Sequence, residues 1–396
     1  MPELGPFAVL VLNQISRSGL DRLPAQHFRV GQDIAQPDAI LVRSADLHAM
    51  AIAPSVQAIG RCGAGTNNIP VAAMSARGVP VFNAPGGNAN AVKELVLAGM
   101  LMAARNLAPA QRFVAGLDPA DPQLERTVEE GKKAFAGCEL AGQTLGVIGL
   151  GKVGCLVADA AIKLGMDVLG YDPEITVDAA WSLPAQVRRA ASVADVLAHS
   201  HFVTLHVPLV QATRHLVDAD NLPLLRAGAV LLNFSREGVV DDAAVVRALD
   251  AGALAWYVCD FPHPGVLGRA KVLALPHLGA STREAEDNCA AMVAEQLRDF
   301  LQHGNICNAV NFPAVHMPRG SHWRIAIANA NVPNMLGQIS TAMAQAGLNI
   351  HNMVNKSRGD MAYTLVDVDS AVKEEVLATL RAIEGVLAVR YLPAPG

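Results

Sequence analysis

Short apolar runs alternate with longer stretches of helical periodicity through the middle of the chain, which predicts a parallel β-sheet flanked by helices. Six such runs cover residues 144–149, 167–171, 201–207, 229–234, 255–260 and 272–275. Polar and glycine residues gather where these runs end. Because ligands of a doubly wound sheet bind outside the carboxyl ends of its strands, this edge is the predicted ligand site.

The beginning of the chain shows a second alternation of the same kind, with predicted strands at residues 8–12, 39–43 and 58–62. A long helix, apolar on one side, is predicted to begin near Asn88, and another covers residues 284–303. We expect the second helix to return to the first α/β unit. This domain is therefore predicted to be discontinuous in sequence.

The end of the chain predicts a small module of its own. Strands at 323–329, 348–357, 361–368 and 386–391 and helices at 335–346 and 372–383 give the ferredoxin-like order βαββαβ. Residues 304–321, before this module, mix Gly, Asn and Pro with little periodicity, and we interpret them as a linker.

Composition limits the class of protein. The chain has 396 residues, 52% hydrophobic and 17% charged, which is enough for two or three packed domains. A net charge of −5 with dispersed Lys and Arg favours a small-molecule partner over nucleic acid or an acidic membrane. The apolar run at 95–104 is too short to span a membrane, and the first residues lack the basic region of a signal peptide. Six cysteines without Cys-x-x-Cys spacing are typical of free thiols in a reducing cytoplasm, and nothing indicates a metal site.

Three glycines follow the first strand of the central sheet and open a helix: Gly149, Gly151 and Gly154. In a dinucleotide fingerprint the first permits a tight turn, the second lets the backbone approach a pyrophosphate, and the third lets helix and strand pack closely. Asp172 closes the next strand, where an acid accepts hydrogen bonds from a ribose 2′-hydroxyl and selects NAD over NADP. Three glycines alone also occur in ordinary turns, but the strand, helix and acid around them favour bound NAD.

Arg236 and His277 are the candidate catalytic residues, because each follows a predicted strand of the same sheet. A guanidinium at this edge can hold a carboxylate through two parallel hydrogen bonds. An imidazole titrates near neutrality, so it can exchange a proton with a hydroxyl group. The alternative interpretations are a solvated loop arginine and a structural histidine.

Four motifs together resemble the D-2-hydroxyacid dehydrogenase family: Gly-Leu-Gly-Lys-Val-Gly from Gly149, Asn-Phe-Ser-Arg-Glu-Gly from Asn233, Cys-Asp-Phe-Pro from Cys259 and Pro-His-Leu-Gly-Ala-Ser-Thr-Arg-Glu-Ala-Glu from Pro276. Within the family, the chain most resembles, over nearly its whole length, the phosphoglycerate dehydrogenases that end in an ACT domain. The resemblance implies a Rossmann-type doubly wound NAD-binding domain at 94–280 and a discontinuous flavodoxin-like substrate-binding domain at 1–93 and 281–308. It also implies a linker at 309–321 and a ferredoxin-like ACT regulatory domain at 322–396.

The resemblance further implies an oxidation of 3-phospho-D-glycerate to 3-phosphonooxypyruvate. Arg236 would bind the substrate carboxylate and polarise the C2 oxygen, and His277 would exchange the proton while hydride passes to NAD. The residues expected to bind NAD come from the ends of the strands: Gly149, Gly151, Lys152, Val153, Gly154, Asp172, His206, Val207, Pro208, Thr213, Asn233, Phe234, Ser235, Asp260, Gly279 and Ala280.

One position departs from the family pattern. Family members usually carry a glutamate where this chain has His263, and that glutamate orients and charges the catalytic histidine. Two explanations stay open. Either another acid, such as Glu284 or Glu286, takes this part, or Arg236 and His277 suffice alone.

A phosphorylated substrate needs cations and backbone donors. Arg43, at the end of a predicted strand, matches a phosphate-binding arginine of phosphoglycerate dehydrogenases, and the alternative is a surface charge. The glycine-rich loops after the third strand and before Asn88 can present free N–H groups to an anion. The predicted substrate-binding residues are Arg43, Ser44, Gly63, Ala64, Gly65 and Asn88.

Asparagines in the turns of the C-terminal module allow two interpretations. They cap the helix and bond the local backbone, or, by resemblance to serine-inhibited relatives, Asn331 and Asn349 hold an L-serine effector between two modules of a homodimer or homotetramer. For the whole chain, the alternatives are a dehydrogenase for another 2-hydroxy or 2-oxo acid such as 2-oxoglutarate, a non-catalytic NAD sensor, and an amino-acid-binding regulator.

Overall fold

The computed structural model describes residues 6–394. They form two compact units. The first combines the described residues up to Asn88 with those from Arg283 onward, and the second is Ala89–Thr282. Among the described residues, no helix has both the length and the apolar character that crossing a membrane requires.

The first unit begins with a parallel sheet. Its elements are β1 (Phe7–Leu12), α1 (Arg17–Leu20), β2 (Phe28–Gly31), β3 (Ala39–Val42), β4 (Ala58–Arg61), α2 (Val71–Ala76) and β5 (Val81–Phe82). The strands pair in parallel in the order β2-β1-β3-β4-β5, which is the flavodoxin order. The three strands predicted here are present. The sequence did not predict β2 and β5, because β2 includes the exposed Arg29 and β5 has only two residues, so neither gives a continuous apolar run.

The second unit contains a seven-stranded sheet. Its elements are α3 (Ala89–Ala104), α4 (Leu107–Ala115), α5 (Leu124–Gly131), β6 (Thr144–Ile148), α6 (Lys152–Lys163), β7 (Asp167–Tyr171), α7 (Val177–Ser182), β8 (Arg188–Arg189), α8 (Val193–His199), β9 (Phe202–Leu205), β10 (Ala229–Asn233), α9 (Asp242–Asp250), β11 (Leu254–Cys259) and β12 (Val272–Ala274). Short 3₁₀ turns lie at Lys132–Phe135, Gln211–Thr213 and Leu222–Leu224.

The strand order of this sheet is β12-β11-β10-β9-β6-β7-β8, and every pair is parallel. This is the order of dinucleotide-binding sheets with one strand added at the edge. The central strands β6, β9 and β10 are buried throughout, since helices cover both faces of a parallel sheet, and this burial explains their continuous apolar runs. All six predicted strands are present.

The chain then returns to the first unit. Its elements are α10 (Arg283–His303), β13 (Trp323–Ala330), α11 (Met335–Gln345), β14 (Ile350–Arg358), β15 (Met361–Val368), α12 (Glu374–Arg381) and β16 (Val386–Pro393). The order βαββαβ is the predicted one. The four strands form an antiparallel sheet in the order β14-β15-β13-β16. We refer to residues 323–394 as the C-terminal module.

The segment between α10 and the C-terminal module contains no helix or extended strand but is packed against both. Ile306, Phe312 and Val315 are buried in one cluster with Phe300 of α10 and Tyr363 of β15. Its irregular backbone explains why the sequence gives no periodic signal there. The module and the five-stranded sheet therefore share a hydrophobic core.

Polar contacts fix the module to the end of α10. The fully buried Arg324 on β13 binds Asp367 through two hydrogen bonds of 2.6 and 2.9 Å. Its remaining donors reach the carbonyl oxygens of His303, Met317 and Pro318 at 2.9–3.0 Å. Every guanidinium nitrogen of Arg324 thus has a protein acceptor, as a buried charge requires.

Candidate functional site

The three fingerprint glycines have the geometry that their predicted roles require. Gly149 has a φ of +92°, and a Cβ atom there would lie 2.5 Å from the carbonyl oxygen of His206. A Cβ at Gly154 would lie 2.0 Å from the carbonyl oxygen of Gly149, so α6 and β6 pack too closely for a side chain. No atom lies within 4 Å of a Cβ at Gly151, which leaves open space beside the backbone. This space fits a pyrophosphate group.

The start of α6 faces the same loop. Gly151 is the N-cap and contributes no side chain, so none caps the first N–H groups of the helix at Lys152 and Val153. Asp172 accepts hydrogen bonds from the N–H groups of Leu150 at 2.8 Å and Glu174 at 2.9 Å. Asp172 thus fastens the glycine loop to the end of β7, a contact that the sequence did not reveal. Its remaining lone pairs are available to a ribose.

The end of β9 brings His206, Val207 and Pro208 to the same edge of the sheet. The Nε2 atom of His206 lies 3.0 Å from the hydroxyl of Thr204, and burial lowers the pKa of His206 to about 4. This imidazole is therefore neutral at pH 7. Thr213 donates to the carbonyl oxygen of Pro208 at 2.5 Å and closes the loop that follows.

The turn after β10 presents Arg236. The buried Asn233 accepts a hydrogen bond from the N–H of Ser235 and donates one to the carbonyl oxygen of Arg236, both at 3.1 Å. Ser235 donates to the carbonyl oxygen of Leu205 on β9 at 2.7 Å, and Phe234 is buried in the core. These contacts fix the backbone on both sides of Arg236, whose side chain is exposed.

Asp260, directly after β11, is 1% exposed and holds an unsatisfied acceptor. Its Oδ2 accepts from the N–H of Gly279 at 3.3 Å, whereas its Oδ1 has no partner among residues 6–394. Burial raises the pKa of Asp260, and interactions with His277 and Arg236 oppose that increase, so both side chains lie within electrostatic reach. A buried oxygen without a protein donor is a place where a ligand or an ordered water molecule can donate a hydrogen bond.

His277 has a strained backbone. Its φ of +48° lies in the left-handed region, which is uncommon outside glycine and asparagine. Its N–H donates to the carbonyl oxygen of Asp260 at 2.9 Å, and its ring centroid lies 4.5 Å from that of Phe261. Strain of this kind is frequent at functional sites. The strand end at Asp260 thus positions the imidazole, with Gly279 and Ala280 just beyond it.

His263 does not replace the glutamate expected at its position. Its exposed ring accepts a hydrogen bond at Nδ1 from the N–H of Gly265 at 3.1 Å and so stabilises its own turn. Burial raises the pKa of Asp242, and His263 opposes that increase, which places this imidazole near the start of α9.

Arg43, in the first unit, follows β3 and forms an ion pair with Glu286 of α10 at 2.7 Å. The two side chains are 35% and 41% exposed, so water reaches both. The N–H of Ser44 beside it donates to Asn13 at 3.1 Å. Glu286, one of the two acids considered as a partner of His277, is therefore engaged with Arg43.

The loop after β4 has two backbone N–H groups without a protein acceptor among the described residues. The carbonyl oxygens of Gly63 and Ala64 accept from Ala84 and Asn83, at 3.0 and 2.6 Å. Within the described part of the chain, the N–H groups of Ala64 and Gly65 donate to no protein acceptor. Asn88 follows in the loop that leads to α3.

The two asparagines considered as effector contacts lie on the surface of the C-terminal module. Asn331 donates its side-chain amide to the carbonyl oxygen of Gly359 at 3.0 Å, in the turn between β14 and β15. The N–H of Asn349 donates to Asp369 at 3.2 Å. The Asn331 side chain therefore hydrogen-bonds the local backbone, as the first interpretation expects.

Two residues of the site were missed from the sequence. Phe261 packs on the His277 ring, and its position in the Cys-Asp-Phe-Pro motif could have indicated it as a site residue. Thr204 contacts His206, and it could have been identified as a polar residue inside a fully buried strand. Between Pro6 and Ala394, no group of three or more His, Cys, Asp or Glu side chains is arranged to hold a metal ion.

Comparison with known proteins agrees with this geometry. Residues 97–279 match the family described as D-isomer specific 2-hydroxyacid dehydrogenase, NAD binding domain. A D-3-phosphoglycerate dehydrogenase of Haemophilus influenzae is 32% identical over 356 residues, which cover 86% of this chain and 82% of the relative. A protein of the same name from Archaeoglobus fulgidus is 34% identical over 78% of this chain, and the match spans 60% of the relative's length.

Solved structures share the fold. The apo D-mandelate dehydrogenase of Rhodotorula graminis matches with a TM-score of 0.66 at 21% identity, covering 79% of this chain and 100% of that one. An NAD⁺-bound 3-phosphoglycerate dehydrogenase of Entamoeba histolytica matches with a TM-score of 0.60 at 22% identity, covering 77% and 99%. From the bacterial relative, the family match and the fingerprint geometry, the chain belongs to the D-2-hydroxyacid dehydrogenase family and contains its NAD-binding domain.

Proposed function

We propose that the chain is an NAD-dependent D-3-phosphoglycerate dehydrogenase, which oxidises the C2 hydroxyl of 3-phospho-D-glycerate to give 3-phosphonooxypyruvate. The observation that carries the proposal is the grouping of Arg236, Asp260 and His277 at the ligand-binding edge of the sheet with the fingerprint glycines. The names of the bacterial relatives, at 32% identity over most of the chain, support this choice of substrate.

Bound NAD⁺ supplies the hydride acceptor. Arg236 binds the substrate carboxylate and stabilises negative charge on the C2 oxygen, because its guanidinium is exposed and its backbone is fixed. His277 accepts the hydroxyl proton. Asp260, which the family resemblance assigns to the cofactor, also lies within electrostatic reach of His277, so we propose that it stabilises the imidazolium in place of the glutamate absent at position 263.

In this proposal residues 94–280 bind NAD, residues 1–93 with 281–308 bind the substrate, and 309–321 connect to an ACT regulatory domain at 322–396. The βαββαβ order supports that last assignment. The proposed effector is L-serine, with Asn331 and Asn349 as its candidate contacts. The proposed setting is a cytoplasmic homodimer or homotetramer.

The test is to mix the purified full-length chain with NAD⁺ and a 2-hydroxy acid, and to follow NADH by its absorbance. We expect a higher kcat/KM for 3-phospho-D-glycerate than for D-lactate or D-2-hydroxyglutarate. A higher value for either unphosphorylated acid would reject the proposed substrate. Tight NAD binding without turnover of any of the three acids would instead favour the sensor. Repeating the assay with L-serine tests the effector.

The ion pair between Arg43 and Glu286 favours a second candidate, a dehydrogenase for an unphosphorylated acid such as 2-hydroxyglutarate, with 2-oxoglutarate as its product. A guanidinium already neutralised by a carboxylate attracts a phosphate less strongly than a free one. The two candidates differ in whether Arg43 binds substrate.

Replacing Arg43 with glutamine separates them. If Arg43 binds phosphate, KM for 3-phosphoglycerate should rise roughly 10- to 100-fold, because a hydrogen bond to a charged group contributes about 1.5–3 kcal/mol. KM for D-lactate, which has no second anionic group, should stay within about twofold. The matched control is Glu286→Gln, which frees Arg43 and should lower KM for the phosphorylated acid. An equal effect of Arg43→Gln on both acids would remove Arg43 from the phosphate site.

A further inference from the structure

A cleft of about 650 Å³ lies within the first unit, between the five-stranded sheet and the C-terminal module. Four residues of one wall lie at, or within two residues before, the starts of β1, β3, β4 and β5: Phe7, Asp38, Gln57 and Val79. We call it the edge cleft. Arg43 and Gly63 follow the opposite ends of β3 and β4, so the edge cleft is distinct from the proposed substrate loops.

The second wall is β16, one of the two edge strands of the antiparallel sheet, together with Arg381 at the end of α12. The two walls approach closely at one end. Gly78 has a φ of +69°, and a Cβ atom there would lie 2.8 Å from the Cβ of Ala388. A larger residue at this turn would push β16 away, so Gly78 sets the spacing of the two walls.

The charged residues of the edge cleft are mostly cations. They are Arg77, Arg381, Arg390 and Asp38. Arg381 is paired with Glu374, which does not line the cleft. Within residues 6–394, neither Arg77 nor Arg390 forms an ion pair. The edge cleft therefore offers a net positive charge to a ligand.

Arg390 is held rigidly and has an unused donor. Its terminal nitrogens donate to the carbonyl oxygens of Phe300 and Leu301, both at 3.0 Å, and its guanidinium lies 4.3 Å from the Phe300 ring centroid. Its Nε is buried and has no acceptor in the described part of the chain. Burial lowers the pKa of Arg390, whereas the nearby Tyr363 hydroxyl and the Asp38 carboxylate oppose that decrease.

Arg77 is fixed in a similar way on the opposite wall. Its two terminal nitrogens donate to the carbonyl oxygens of Ile52 at 3.2 Å and Ala53 at 2.8 Å. Carbonyl oxygens orient a guanidinium without neutralising its charge. Two preorganised cations on facing walls are typical of a site for an oxyanion.

We infer that the edge cleft binds a small molecule carrying a carboxylate or phosphate group, held between Arg77 and Arg390. This site is separate from the proposed dehydrogenase chemistry and does not depend on it. Because the ligand would contact both walls, it stabilises the packing of the C-terminal module on the five-stranded sheet.

The experiment titrates the full-length chain by calorimetry with inorganic phosphate and, separately, with succinate. Three variants are compared with the wild type: Arg77→Met, Arg390→Met and the control Arg298→Met. Arg298 also lies in the first unit and donates to a backbone carbonyl, that of Arg22 at 3.2 Å, but does not line the cleft. Loss of a charge-assisted contact should raise the dissociation constant at least about tenfold in both cleft variants, with the control unchanged. The anion that binds identifies phosphate or carboxylate as the ligand group.

Any anion bound at the substrate loops contributes equally to all four chains, so the differences report the edge cleft alone. Equal affinities of the wild type and both cleft variants for both anions would overturn the inference, as would the absence of binding or an equal loss in Arg298→Met. Arg77→Met leaves the contacts of Arg390 with Phe300 and Leu301 in place. The Arg77→Met variant therefore tests anion binding in the edge cleft even if Arg390→Met does not fold.

Discussion

Arg324→Met should lower the free energy of unfolding of the first unit by about 3–5 kcal/mol, which is the usual cost of breaking a buried ion pair by removing one partner. The side chains of Arg324 and Asp367 are fully buried, and methionine would leave the Asp367 carboxylate charged without its counter-ion. The carbonyl oxygens of His303, Met317 and Pro318 would also lose their donor. Urea denaturation followed by circular dichroism measures the effect, as a fall in midpoint at constant m-value.

Two further variants show whether burial causes this loss. Arg22→Met removes an exposed pair with Glu295, 52% and 45% exposed, and should cost at most about 1 kcal/mol. Arg324→Met combined with Asp367→Leu removes both charges and should recover more than half of the single-variant loss. If Arg324→Met costs no more than Arg22→Met, the buried pair does not stabilise the module.

His277→Asn should lower kcat for 2-hydroxy-acid oxidation about 10²- to 10⁴-fold, the usual contribution of a general base. Asparagine is the informative replacement because it tolerates the left-handed backbone that His277 adopts, whereas alanine would add strain. The KM for NAD should change little, since the glycine loop and Asp172 are untouched. Steady-state kinetics with varied NAD⁺ and varied acid measure both constants.

The pH profile separates proton transfer from a structural effect. A histidine that accepts a proton must be neutral, so wild-type oxidation should slow as the pH falls, and His277→Asn should lose that dependence. His263→Asn is the matched control, an exposed histidine at the end of the neighbouring strand. An equal loss in both variants would contradict the assignment of the base to His277.

Sequence pattern predicted the fold well where burial is regular. The central strands lie between layers of helices, so their apolar runs are long and unambiguous. Short edge strands were missed, as at β8, whose two arginines are exposed. The packing of residues 304–321 was missed for a different reason. Ile306 and Phe312 are buried by irregular backbone, which has no period to detect.

The parts of the site that depend on local chain geometry were also predictable. Gly149, Gly151 and Gly154 act through their own backbone and their nearest elements, so spacing alone revealed them. Contacts between residues far apart in sequence could not be predicted. Arg43 and Glu286 are separated by the whole second unit in sequence, and nothing in either segment indicates the other.

The five-stranded sheet leaves the ribosome long before α10, the helix that covers it. Gly60 on β4 has room for no side chain because Val293 and Leu297 of α10 lie against it. Protein synthesis proceeds at about 5–20 residues per second, so this apolar face stays uncovered for roughly tens of seconds while Ala89–Thr282 is synthesised. We expect the contiguous NAD-binding unit to complete its fold first during translation. The nascent five-stranded sheet should then be the part of the chain that chaperones bind.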